Sequence, residues 1–555
     1  MAVEREERLR KSWMVGERTE NVGALTTASP VRECRCPGGV IAANASRISG
    51  GQFFTGNGSI RVIASVPPHR SASTSGAAGR KSVVPQSCVW TLCDYPCALR
   101  PYRLYKRTNI GKIARLAQKG TAVESVEARS AAEAVDLEAA DFFTDTELVS
   151  DPYPYFDALR SRCPVHPVAH PGVVAVTGYD EAVQVYKDAS TFSSCNSVGG
   201  PYPPLQVPPR THDITDVIEA RRDQWPMNEF MVTMDGAAHE TQRSLLRRLL
   251  TPRRLKENEA ALAGIADRCI DEFIGTGGCE VINEYGKPFT ALAIADLLGV
   301  PEEDRVEVRQ VMAGSTIAVV GDEQTLAVNP LEFLFDKFRT YLEDRRREPG
   351  DDILTQLATA TYEDGSLPEL DAIVRTAAFL FGAGQDTSAR MLCSALRIIA
   401  ENTDIQGRLR SERGLISEFV EEVLRLESPT MSDFRMTRVA TTLGGVDIAA
   451  GTTVMIHPGA ANRDERRFQQ PNECRLGRDN VREHIAFGRG AHSCPGGPLA
   501  RAEGRVTLGR FLDRTRDISI SESEHGPPGQ RHFDYDPTFI VRGLSNLHIT
   551  FTSAE

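Results

Sequence analysis

The run Phe487-Gly488-Arg489-Gly490-Ala491-His492-Ser493-Cys494-Pro495-Gly496-Gly497-Pro498-Leu499-Ala500-Arg501 sets one cysteine in a glycine-built loop, directly before a stretch that can start a helix. A thiolate needs backbone donors and a helix N-terminus to hold its charge, and glycines let the backbone come close to a flat cofactor. The loop therefore reads as a cradle for a thiolate ligand. The blander reading is a Gly/Pro-rich surface loop that carries a free cysteine.

With its continuation, the loop resembles that of the cytochrome P-450 family of heme-thiolate monooxygenases, Phe-Gly-x-Gly-x-His-x-Cys-x-Gly running into Leu-Ala-Arg, and every position matches. The resemblance implies a mainly α fold with small β-sheets, organised as a single large helical heme domain. It also implies heme b as cofactor, Cys494 as the axial ligand to iron, and Phe487, His492 and Gly496 as matched positions of the heme loop.

Bulk properties agree with a large globular chain. Of 555 residues, 41% are hydrophobic and 25% charged, enough apolar material for a large core. No window approaches an uninterrupted apolar span of about 18 residues, so no transmembrane helix and no membrane partner are expected. The twelve cysteines lack the regular, dense spacing of a disulfide scaffold, and the start, Met1 to Arg10, is charged rather than signal-like. A reducing cytoplasm is the expected setting. The net charge is -11, yet residues 31–120 carry 14 Lys/Arg against 2 Asp/Glu. The remaining body is strongly acidic, which argues against nonspecific nucleic-acid binding.

Two regions follow from this asymmetry. Residues 1–125 hold patches such as Arg70 to Arg80, rich in Ser, Gly and Ala, with no helical or strand period. They are expected to be a basic, low-complexity, disordered extension, with a functional start near Val123 as an alternative. The spacing of Cys34, Cys36, Cys88, Cys93 and Cys97 matches no common zinc pattern. Residues 137–555 are expected to be the heme domain. Its resemblance to the family begins in earnest at Asp151-Pro-Tyr-Pro-Tyr-Phe-Asp-Ala-Leu-Arg160 and leaves no room for a fused flavin reductase. Residues 195–235 read as a long irregular segment, which in the family borders the substrate pocket.

From Phe379 to Ala395 the pattern is helical and apolar, broken by Gly382, Gly384, Gln385, Asp386, Thr387 and Ser388. Glycines weaken a helix and threonine can bond to the preceding turn, so a local opening is expected there, with an ordinary kink or cap as the blander account. Ala383-Gly384-Gln385-Asp386-Thr387-Ser388 matches the family's central-helix motif. By that resemblance Thr387 would hydrogen-bond the iron-bound peroxo group and Asp386 would relay protons from solvent. Glu422-Val-Leu-Arg425 places a carboxylate and a guanidinium three residues apart on one helix face. In the family this is a buried scaffold pair.

Heme propionates need cationic or hydrogen-bonding partners. His239 and Arg243 lie at i and i+4, and Arg435 and His492 match two further family positions; each is by itself also readable as a solvated surface residue. Pro495 follows the ligand and lacks an amide hydrogen. Its absence would leave the thiolate more electron-rich, unless the proline merely starts the following helix well. Phe379, Ala383, Met431 and Phe434 are the expected pocket residues.

The resemblance implies insertion of one oxygen atom from dioxygen into a small, largely apolar organic substrate. Electrons would come from NAD(P)H through a ferredoxin reductase and a ferredoxin, whose acidic surface Arg489 and Arg501 would suit if they are not ordinary solvated arginines. The alternatives are a non-oxygenase or peroxide-driven heme-thiolate enzyme and a non-catalytic heme protein that binds or senses a ligand.

Overall fold

A computed structural model describes residues 140–554 except 201–204, 206, 208–210, 226, 248, 306–330 and 363, together with the backbone of four short strands earlier in the chain. The chain divides into two compact units, Met1–Val126 and Glu127–Glu555. In the first, Arg35–Cys36 pairs with Gly39–Val40, and Gly51–Gly56 pairs with Ser59–Ala64, both antiparallel. The side chains of Cys34, Cys36, Cys88, Cys93 and Cys97 lie outside the described residues.

The second unit is mostly helical with small sheets. Five helices carry the argument: α1 Gly236–Arg247, α2 Lys287–Leu298, α3 Leu370–Glu401, α4 Ile416–Leu426 and α5 Gly497–Arg514. At 32 residues, α3 is about 48 Å long, and it runs through the unit with most of its residues buried. Around it lies the largest core, with Phe289 of α2, Phe381 and Leu392 of α3, Phe419 of α4 and Phe511 of α5 all fully buried. Each such side chain contributes about 1.5–3 kcal/mol by leaving water.

The expected opening of α3 is not present. Its helix is continuous from Gly382 to Ser388, and the glycines have a packing reason instead. A Cβ on Gly382 would stand 2.4 Å from Leu331 Cδ2, so the missing side chain is the space that Leu331 fills. Thr387 does bond backward, its Oγ1 donating to the Ala383 carbonyl at 2.9 Å.

A five-stranded sheet packs at one side. Its strands are β1 Val165–Pro167, β2 Val173–Val176, β3 Phe192–Ser193, β4 Asp433–Thr437 and β5 Thr453–Ile456, in the order β1-β2-β5-β4-β3. β2 and β5 are parallel and the other pairs antiparallel. The register sets Arg435 of β4 opposite Val454 of β5. Among the described residues, no helix is long and apolar enough to cross a membrane.

Candidate active site

Cys494 lies at the end of a loop that doubles back on itself. Its amide N–H donates to the Phe487 carbonyl at 2.8 Å, closing the turn through Gly488 and Gly490. Both glycines take positive φ (63° and 71°), and at Gly490 a Cβ would stand 2.4 Å from the Tyr186 carbonyl oxygen. Only glycine fits there. The Cys494 thiol is surrounded by protein, and burial raises its pKa, while the amides of Gly496 and Gly497 and the cations Arg243 and Arg501 favour the thiolate. Yet the residue is open to solvent. Cys494 is thus accessible as a residue while the groups around its sulfur favour a thiolate, the chemistry of a metal-ligand position. At Gly496 a Cβ would lie 3.7 Å from this sulfur.

Pro495 is not the proline of the helix start. α5 begins at Gly497, and Pro498 occupies its first turn, where a missing N–H costs nothing. Pro495 precedes the helix, between the ligand position and the two amides that reach the sulfur.

The four residues expected to hold propionates converge from α1, β4 and the cysteine loop. The His239 and His492 rings lie 3.9 Å apart between centroids. The Arg243 guanidinium donates to the Ser493 carbonyl. Arg435 is buried, bonded to Asp433 at 2.8 Å and stacked 5.5 Å over the Tyr186 ring. Burial first, and then the nearby Arg435, His239 and Arg243, push the His492 pKa down to about 2. His492 is thus a neutral imidazole among cations, in a pocket that favours anions.

On α3, Ala383 is exposed and Asp386 and Thr387 are part-exposed, in a helix whose neighbouring turns are buried. Arg390 Nε holds the Asp386 carboxylate at 2.7 Å, and its Nη2 reaches Asp536 at 3.0 Å. One residue beyond Thr387, Ser388 meets Glu503 of α5, nine residues after Cys494. One turn on, Met391 Cε lies 3.3 Å from where a Gly504 Cβ would be. These contacts set the register between the Asp386-Thr387 motif and the helix that Cys494 leads into.

Glu422 and Arg425 are fully buried and paired at 2.8 and 2.9 Å, as the resemblance implies. Arg425 also donates to the carbonyls of Asn462, Pro471 and Glu473. Next to this pair, Glu421 forms a second buried cluster that the sequence reading missed. It accepts from His484 Nε2 at 2.9 Å and from Arg501 at 2.7 and 2.9 Å. Despite burial, those bonds bring its pKa down to about 2. The Arg501 guanidinium stacks 4.6 Å over Phe487, tying the cluster to the cysteine loop. Arg489 donates to the carbonyls of Glu483 and His484. Arg489 and Arg501 are both part-exposed, and each is also tied to neighbouring groups of the fold.

The expected pocket residues divide. Phe379 and Ala383 are accessible, but Met431 and Phe434 are packed in a separate core with Phe143 and Phe539. Beside Phe379, a narrow cleft between Phe230-Met231, α1 and α3 is lined also by Glu229, Gln242, Leu246, Arg375 and Thr376.

A family model described as Cytochrome P450 matches residues 323–525. Cytochrome P450 144 of Mycobacterium tuberculosis is 31% identical over 424 residues, covering 74% of this chain and 91% of the relative. Cytochrome P450 monooxygenase PikC of Streptomyces venezuelae is 29% identical over 409 residues, covering 73% and 92%. Among solved structures, substrate-free CYP150A6 of Mycobacterium marinum aligns with a TM-score of 0.70 at 57% identity, over 76% of this chain and all of that one. The chain belongs to the cytochrome P450 family of heme-dependent oxidoreductases. Its own residues fit that cofactor: an accessible, amide-supported thiol for the metal, and a converging set of His239, Arg243, Arg435 and His492 for two carboxylates.

Proposed function

We propose that residues 137–555 form a monooxygenase unit that inserts one oxygen atom from dioxygen into a small, largely apolar organic molecule, with residues 1–125 as a separate extension. Cys494 would supply a thiolate to the iron of heme b, and His239, Arg243, Arg435 and His492 would hold its propionates, with Phe487 and Gly496 shaping the loop against it. The observation that carries this reading is the placing of the accessible residue Cys494 with its sulfur supported by two backbone amides and two cations.

Heme, when bound, supplies dioxygen activation and the oxidising power. The chain's own residues then govern position, water and protons. Asp386 is 41% exposed, so its carboxylate can exchange protons with water while Arg390 fixes its direction. Thr387 gives its own proton to the Ala383 carbonyl, which leaves its oxygen lone pairs free to accept a bond from the oxygen side of the site. Phe379 and Phe230 supply apolar walls, with ring centroids 6.0 Å apart.

Two electrons per turnover come from NAD(P)H through a ferredoxin reductase and a ferredoxin. The setting we propose is cytoplasmic, without a membrane partner, and the net charge of -11 argues against a nucleic-acid partner. The testing experiment is the carbon monoxide difference spectrum of the reduced, heme-loaded protein beside Cys494→His. A far red-shifted Soret band in the parent that disappears in the variant is the expected result. Its absence in well-folded, heme-replete parent would end the reading.

A further inference from the structure

The cleft beside Phe379 has one charged end. Arg375 Nη1 meets Glu229 Oε2 at 3.1 Å, joining α3 to the segment before α1. The two partners are unlike. The Arg375 side chain is only 23% exposed, whereas Glu229 is 66% exposed. Among the described residues, Arg375 Nε is buried with no acceptor in reach. A mostly desolvated guanidinium with a spare donor, held by one surface carboxylate, is poised to exchange that carboxylate for another of better geometry. Glu229, with most of its side chain already in water, loses little by turning away.

Beyond this charged end the cleft is mostly apolar, with Gln242 and Thr376 as its polar members, and it ends at Phe379, one turn of α3 before Ala383. Phe230, Met231, Leu246 and Phe379 line it. Ala372, Thr376, Phe379 and Ala383 recur at steps of four, three and four, so they share one face of α3, and Thr387 lies one turn further along that face. Ala383 is the exposed member of the row. From Arg375 to Ala383 the helix rises about 12 Å, the span of an extended chain of about ten carbons. With the Arg375–Glu229 pair closed, the cleft has about 10 Å³ of room, at most the space of one water, so a ligand enters only by moving side chains aside. The ion pair therefore closes the place that a ligand carboxylate would take.

We infer that Arg375 is a specificity-determining residue that captures the carboxylate of an elongated, otherwise apolar substrate, with Glu229 as the exchangeable occupant of its guanidinium. The captured end sets the reach of the molecule along α3, so that atoms about ten carbons away lie beside Ala383 and Thr387. This rests on the proposed reading of that helix segment as the reacting site.

The test is a titration of the heme-loaded protein with dodecanoate and with dodecan-1-ol, read by the substrate-induced shift of the Soret band and by calorimetry. The carbon monoxide spectrum of the same preparation reports on the Cys494 reading separately. The parent is expected to bind dodecanoate at least about ten-fold more tightly than the alcohol. Arg375→Gln should abolish that preference while leaving alcohol binding within about two-fold, and Arg375→Lys should restore part of it. Glu229→Gln, a change at an exposed side chain, should move the other way and tighten dodecanoate several-fold. Equal affinities in the parent, a preference that survives Arg375→Gln, or weaker dodecanoate binding in Glu229→Gln would each overturn the inference, whatever the carbon monoxide spectrum shows.

Discussion

Arg390 clamps Asp386 from four residues along the same helix, with Nε 2.7 Å from the carboxylate, and the same guanidinium reaches across to Asp536. Asp386 is thus held on one side and open to water on the other. Its proposed role as proton relay makes a definite expectation. Asp386→Asn should lower turnover by about a hundred-fold, the usual scale for losing a positioned general acid. The carbon monoxide spectrum should keep its thiolate signature, because the cysteine loop is untouched. Near-normal turnover in this variant would remove Asp386 from the mechanism.

Glu503 is fully buried, and neither of its oxygens has a well-formed hydrogen bond among the described residues. Burial raises its pKa to about 8, with the Ser388 hydroxyl tempering the effect. A folded-state pKa above that of the unfolded carboxyl means the native protein keeps a proton that the unfolded chain has lost. Its share of stability is intact below about pH 4.5, declines as pH rises toward 8, and then levels off. Glu503→Gln should therefore match the parent near pH 5 and exceed it at pH 9, by an amount on the order of 4 kcal/mol. Denaturant unfolding at those two pH values checks this. Parallel pH profiles in parent and variant would show that Glu503 is not held protonated.

Pro495 interrupts what is otherwise a run of amides near the sulfur. Gly496 and Gly497 already direct N–H groups to Cys494, and a residue with an amide at 495 would offer one more. Each such bond draws electron density from the thiolate. Pro495→Leu is expected to raise the heme reduction potential in a spectroelectrochemical titration. An unchanged potential would mean that the amide at 495 points elsewhere.

Much of this was legible in the chain itself. The glycines at 488 and 490 announce a loop only glycine can make, and Glu422-x-x-Arg425 announces a pair whose burial the fold then supplies. Propionate-type residues from three distant motifs could be named, but spacing cannot say that His239 and His492 end up 3.9 Å apart. Other readings failed for identifiable reasons. Glycines in α3 looked like a break because propensity is local, whereas Leu331, 51 residues earlier in sequence, supplies the packing that keeps the helix whole. Met431 and Phe434 were placed in the pocket by distance from motifs, yet Met431, just before β4, and Phe434 on it pack into the core with Phe143 and Phe539. Glu503 and the Arg375–Glu229 pair carried no motif at all.

Glu421 and Glu422 are neighbours on α4 and so project about 100° apart. One reaches His484 and Arg501 and through them the cysteine loop; the other joins Arg425, which holds the backbone of Asn462, Pro471 and Glu473. A single helical turn therefore grips two long irregular segments by opposite hands. Melting that turn would release both together, so loss of the cysteine loop's order and collapse of the Asn462–Glu473 region are expected to coincide in thermal unfolding.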